Sequence, residues 1–250
     1  MATIREHTAP AGPVVFDVTT VAADVIVIVE DRPAALVTVT TSADSGPAAD
    51  AVRNARFADR PGGVSVRVQE PTGATGSTTV VNRYGRATIT QVGIVSGGSV
   101  IQVGGNIIGG DLNISGGGLV IGGNAAVTGS GAPIVIEARL PLRSSLTCQT
   151  TSGDLDTTGE LVDAEVTTVS GDIRIGAARM PRLRSTSGDI RVAQLTGSRA
   201  VVKTVSGDIR ITATQSGATV SARSVSGDIR ATGPDIDLDA RTVSGRVTTR

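Results

Sequence analysis

Val205-Ser206-Gly207-Asp208-Ile209-Arg210-Ile211 contains the phrase from which the fold is read, Ser-Gly-Asp followed by an apolar residue. The phrase returns at Ser152-Gly153-Asp154-Leu155, Ser170-Gly171-Asp172-Ile173, Ser187-Gly188-Asp189-Ile190 and Ser226-Gly227-Asp228-Ile229. An altered copy reads Ser244-Gly245-Arg246-Val247. Successive serines are 18, 17, 19, 20 and 18 residues apart, a period that marks a repeat architecture. After each glycine, polar and apolar residues alternate, as in Asp172-Ile173-Arg174-Ile175, which describes a strand with one buried face. A second short run, Ala200-Val201-Val202 or Ala218-Thr219-Val220, falls midway between phrases.

Each repeat thus supplies about two strands, too little to bury an apolar face alone, and must stack on its neighbours. Parallel stacking, at a rise of about 4.8 Å per coil, gathers the isoleucines into one interior column. It gathers Asp154, Asp172, Asp189, Asp208 and Asp228 into an outer column, with Arg174, Arg191, Arg210 and Arg230 in the next. The expected fold is all-β: a parallel β-solenoid with repeats of about 18 residues. An antiparallel β-sandwich is the alternative, since short strands at this spacing also suit a sandwich.

Lys+Arg and Asp+Glu both number 23, so the formal net charge is zero. This gives no electrostatic case for nucleic acid or for an acidic membrane. Aromatic residues make up 1% of the chain, with Phe16, Phe57 and Tyr84 and no Trp, so stacking platforms for bases or sugars are missing. The start, Met1-Ala2-Thr3-Ile4-Arg5-Glu6-His7, has no apolar signal region, and the expected location is cytoplasmic. Cys148 is the only cysteine, which leaves no disulfide framework.

Three segments are expected. Residues 1–70 contain β-rich runs at 14–18, 24–29 and 35–40, a short helix from Pro47 and a further strand at 64–68. They are expected to cap the solenoid. Residues 71–133 form a glycine-rich β insertion, in which Gln91, Gln102, Asn113 and Asn124 recur every eleven residues. Stacked short coils with an amide ladder would explain that spacing. Residues 134–250 are the Ser-Gly-Asp solenoid itself.

The opening run to Glu30-Asp31-Arg32-Pro33, the strand ending Arg139-Leu140-Pro141 and the Thr-Val-Ser-Gly-Asp-Ile phrases together resemble the bacterial "putative adhesin" β-strand-repeat family. The likeness covers roughly 1–70 and 134–250. It implies a right-handed, pectate-lyase-like β-helix with no established activity and no catalytic residues to carry over.

Few residues offer chemistry. His7 is the only histidine, on an expected frayed terminus, and Cys148 has no histidine partner in its strand. No catalytic, cofactor or metal residues are assigned. The aspartate column resembles calcium-binding repeats only loosely, because its acids recur every 18 or so residues with an arginine two positions on. It is read as a structural charge ladder, with Arg246 completing it at the end. Asp156 stands where later copies have arginine, and it should sit beside Arg174. A sharper version pairs the Arg246 end of one molecule with the Asp154 end of the next.

The expected function is a non-catalytic scaffold that binds a protein partner or itself, with small-molecule ligands disfavoured. Two alternatives stand beside it. Ile101-Gln102-Val103-Gly104 resembles the core of an amyloid interaction motif and would give self-assembly through 91–124. Asp235, Asp237 and Asp239 offer paired carboxylates for a carbohydrate-active β-helix enzyme.

Overall fold

A computed structural model describes residues 2–69 and 132–249, together with the backbone of five short strands between them. The chain divides into two compact units, 1–70 with 133–250, and 71–132.

The first unit opens with β1 (Thr3–Ala11), β2 (Val15–Thr19), β3 (Ala23–Glu30) and β4 (Ala34–Thr41). Helix α1 (Pro47–Arg53) and strands β5 (Arg56–Arg60) and β6 (Gly63–Arg67) follow. In the second unit lie β7 (Thr79–Asn82), β8 (Gly85–Thr88), β9 (Leu112–Ser115), β10 (Gly118–Ile121) and β11 (Ala125–Thr128). The first unit resumes with β12 (Ile134–Pro141), β13 (Ser145–Ser152), β14 (Leu155–Ser170) and β15 (Ile173–Arg184). Its remaining strands are β16 (Ile190–Leu195), β17 (Arg199–Lys203), β18 (Ile209–Ala213), β19 (Thr219–Arg223), β20 (Ile229–Thr232), β21 (Asp237–Arg241) and β22 (Val247–Thr249).

Pairing in the first unit runs along two ladders. One has the order β1-β4-β12-β3-β14-β15-β16-β18-β20-β22. The other has the order β5-β6-β2-β13-β14-β15-β17-β19-β21. The long strands β14 and β15 take part in both. Pairing is parallel from β12 through β22, which excludes the antiparallel sandwich for the repeats and gives a β-solenoid-like stack.

Register explains the core. Ile136, Val25, Leu155, Ile173, Ile190, Ile209 and Ile229 are paired rung to rung in one column, each at most 1% exposed. Burying each such side chain contributes about 1.5–3 kcal/mol. On the other ladder the column runs Val66, Val18, Cys148, Val166, Leu183, Val202 and Ala222. Cys148 is therefore a core residue. Burial, reinforced by the charge of Asp17, pushes its thiol up to about 12, so no thiolate is on offer at neutral pH.

Residues 1–70 interleave with the repeats. Strand β3 lies between β12 and β14, and β2 lies between β6 and β13. Antiparallel pairings lie outside them: β4 with β12, β1 with β4, and β5 with β6. Helix α1 packs against β1 and β4 through Ala48, Ala49, Ala51 and Val52. The N-terminus is a paired strand, not a frayed end. His7 on β1 bonds through Nε2 to Asp59 Oδ1 at 2.8 Å and stacks on Phe57.

In the second unit, β7 and β8 form an antiparallel pair, and β9, β10 and β11 an antiparallel sheet. These strands are not stacked parallel coils, and Asn113 faces Val120 in register. Gln91, Gln102 and Asn124, and the Ile101–Gly104 motif, lie outside the described residues.

Candidate functional site

The repeated phrase forms one corner of each coil. Its glycines have φ between 128° and 151° at positions 171, 188, 207, 227 and 245, a region that side chains other than hydrogen rarely allow. A Cβ on any of them would also collide with the carbonyl of the glycine one rung back.

This backbone turn creates the need for aspartate. The N–H groups of Gly188 and Ile190 point forward, to the carbonyls of Ser206 and Asp208. The N–H between them, that of Asp189, points back, where the carboxylate of the previous aspartate meets it. Asp172 N–H donates to Asp154 Oδ1 at 2.9 Å, Asp189 to Asp172 at 2.9 Å, Asp208 to Asp189 at 2.8 Å and Asp228 to Asp208 at 2.8 Å. Arg246 N–H closes the series on Asp228 Oδ1 at 2.8 Å. Asp24 on β3 heads it, accepting from Asp154 N–H at 3.1 Å.

The second carboxylate oxygens of Asp154, Asp172, Asp189 and Asp208 all meet arginine, supplied from alternate rungs. Arg174 lies 2.6 Å from Asp172 and 3.5 Å from Asp154, and Arg210 lies 2.7 Å from Asp208 and 3.6 Å from Asp189. Arg191, Arg230 and Arg246 form no ion pair among the described residues. Asp156 is in register with Arg174, as the spacing requires, but the guanidinium turns to Asp154 and Asp172. An open depression of about 270 Å³ lies along this arginine column, lined also by Thr212 and Thr232. Among the described residues no cluster of His, Cys, Asp and Glu could hold a metal.

The Asp154 end is not bare. Leu155 pairs with Val25, so β3 covers the face where the second molecule of a head-to-tail filament would dock. That version of self-association is corrected by the interleaved N-terminal strands. The carboxylates at 237 and 239 are exposed on β21, with Asp239 3.9 Å from both Arg223 and Arg241. They belong to a solvated strand face.

The model of the Toastrack DUF4097 family matches residues 62–250. The chain belongs to this family. Among solved structures, this Toastrack chain is similar to a putative adhesin from Bacteroides fragilis, with 12% identity over 99% of this chain and 97% of that one and a TM-score of 0.45. It is also similar to a putative cell adhesion protein from Clostridium sporogenes, at 7% identity, 99% and 100% coverage and a TM-score of 0.40. No curated protein matches. The resemblance carried by the Ser-Gly-Asp-Ile phrases holds: this is a putative-adhesin-like domain.

Two further features of the Toastrack chain escaped the sequence reading. Val169, Val205, Val225 and Val243 stand just before four of the five in-register serines and are 50%, 49%, 48% and 83% exposed; Thr186 precedes Ser187, so the apolar ridge on adjacent rungs runs over Val205, Val225 and Val243. Three residues before Ser187, Ser206, Ser226 and Ser244, the cations Arg184, Lys203, Arg223 and Arg241 pair rung to rung in a column. The constant offset from each Ser-Gly would have revealed both.

Proposed function

We propose that the chain is a non-catalytic interaction scaffold, a right-handed parallel solenoid of about 18 residues per coil whose long faces dock a partner protein. Right-handedness rests on the strong preference of parallel β crossovers for that hand. One observation carries the functional reading: the most repeated acids, Asp154 to Asp228, have their carboxylates occupied by the backbone of the next coil. Their role is to hold the stack, and a rigid stack presents side chains at fixed intervals. The exposed valines at 205, 225 and 243, on adjacent rungs, support docking, because apolar surface is costly to leave in water.

The test is incubation with neutral and uronic polysaccharides, followed by assay of new chain ends. No turnover is expected. Turnover that disappears in Asp237→Asn/Asp239→Asn would replace the scaffold with an enzyme.

A further inference from the structure

The aspartate ladder engages its acids two to an arginine. Arg174 reaches Asp172 and Asp154, and Arg210 reaches Asp208 and Asp189. The two acids that Arg191 would meet in the same way, Asp189 on its own coil and Asp172 on the coil before, are thereby occupied. For Arg230 the acid one coil before, Asp208, is occupied too. Asp228 remains on its own coil, accepting the Arg246 N–H through Oδ1 and making no ion pair among the described residues. Three guanidinium groups, those of Arg191, Arg230 and Arg246, thus stand against one carboxylate, and the ladder has surplus positive charge at this end.

Arg191, Arg210 and Arg230 are in register on β16, β18 and β20, one rung or about 4.8 Å apart, and all three line the open depression of about 270 Å³. No carboxylate and no aromatic ring lines it among the described residues. Like charges so close repel, and a bound anion relieves the repulsion. Val192 and Ile211 also border the depression, but their side chains are 1% and 2% exposed, so they present backbone to it.

Thr212 and Thr232 stand opposite each other on the next outward position. The Thr232 hydroxyl donates to Thr212 Oγ1 at 3.2 Å and to the Ile211 carbonyl at 3.5 Å. Its own oxygen therefore keeps acceptor capacity, while the Thr212 hydrogen has no acceptor among the described residues. The depression offers guanidinium forks and one hydroxyl donor for an oxyanion, and beside them one acceptor for a ligand hydroxyl. A carboxylate has two oxygens to offer such donors. A phosphate monoester has three, enough for Arg191, Arg230 and Thr212 together.

We infer that this depression binds the phosphate monoester of a small polyol. The phosphate lies against Arg191, Arg230 and the Thr212 hydroxyl, a ligand hydroxyl donates to Thr232 Oγ1, and Arg210 stays with Asp189 and Asp208. Without an aromatic platform a nucleobase has nothing to stack on. The site does not depend on the scaffold reading.

The experiment is ligand-observed phosphorus NMR of glycerol 3-phosphate with the full chain, at constant ionic strength. Broadening of the ester signal is expected, and it should exceed that of inorganic phosphate at the same concentration. Arg191→Gln/Arg230→Gln should weaken ester binding by roughly tenfold or more. Because neither arginine makes an ion pair, the melting temperature of that variant should match the parent. Arg191→Lys, which keeps the charge and removes the fork, should lose part of the affinity. Thr232→Val, which removes the acceptor, should bring the ester down to the level of inorganic phosphate. Arg184→Gln, on the other ladder, should change nothing. No broadening, broadening unchanged in Arg191→Gln/Arg230→Gln, or inorganic phosphate bound as tightly as the ester overturns the inference. So does displacement of the ester by an equal concentration of acetate, which would reduce the arginine column to a general attractor of counter-ions. None of these outcomes touches the scaffold, which only polysaccharide turnover removes.

Discussion

At the scale of the residue, glycine and aspartate in the repeated phrase do one job between them. The positive φ of the glycine turns the following N–H backward, and the aspartate one rung back accepts it. Gly207→Ala meets both a forbidden backbone region and the Gly188 carbonyl, and should cost on the order of 1–3 kcal/mol. Gly217→Ala is the control, since it also has positive φ but nothing within 4 Å of the added carbon. Urea titrations showing equal losses would mean that the close approach between rungs contributes nothing. For Asp208, charge matters less than acceptor capacity. Asp208→Asn keeps an oxygen for the Asp228 N–H and gives up only exposed ion pairs, a change of about 0–1 kcal/mol. Asp208→Ala orphans that N–H and should cost about 1–3 kcal/mol. If the two variants melt together, the carboxylate is merely one half of a surface ion pair.

At the scale of the element, each strand is held by its rung neighbours more than by anything internal. Strand β18 is five residues long, and its Ile209 is fully buried between Ile190 and Ile229. Ile209→Asp puts an unpaired carboxylate in that column, where a charge has neither water nor a partner. Because β16 and β20 both depend on β18 for pairing, several coils should lose protection together in hydrogen exchange. An unchanged melting temperature would show that Ile209 does not face the interior. The same dependence explains why strands as short as β2 and β17 form at all, since neither has length enough to be stable alone.

At the scale of the whole molecule, the two ends of the first unit differ. The N-terminal rungs turn antiparallel and end on β1 and β5, strands carrying Arg5, Glu6, Pro10, Arg56 and Asp59, features that discourage edge pairing. At the other end, β21 and β22 each pair on one side only among the described residues. There Arg246 accepts its place in the aspartate column through its own N–H but offers no carboxylate for another rung. An arginine at this position ends the series of acceptors, so it is expected to stop rungs of other molecules from adding. Arg246→Asp restores the acceptor and should raise concentration-dependent association, read by light scattering or sedimentation. Association that falls instead would make Arg246 an adhesive residue rather than a stop.

The sequence by itself determined the repeat, its strands, the interior isoleucine column and the adjacency of aspartate and arginine. All of these follow from periodicity, because in-register stacking of near-equal repeats carries each position onto its own copy. Even the valine ridge and the cation column were written there, at fixed offsets from Ser-Gly. Only the tertiary structure decided that β2 and β3 enter the stack as rungs, and that Asp24, with no Ser-Gly before it, heads the aspartate series. Those are contacts between residues about 130 positions apart, and no local pattern encodes them. It also decided that the aspartates answer backward-pointing N–H groups, a consequence of glycine dihedrals that composition does not carry.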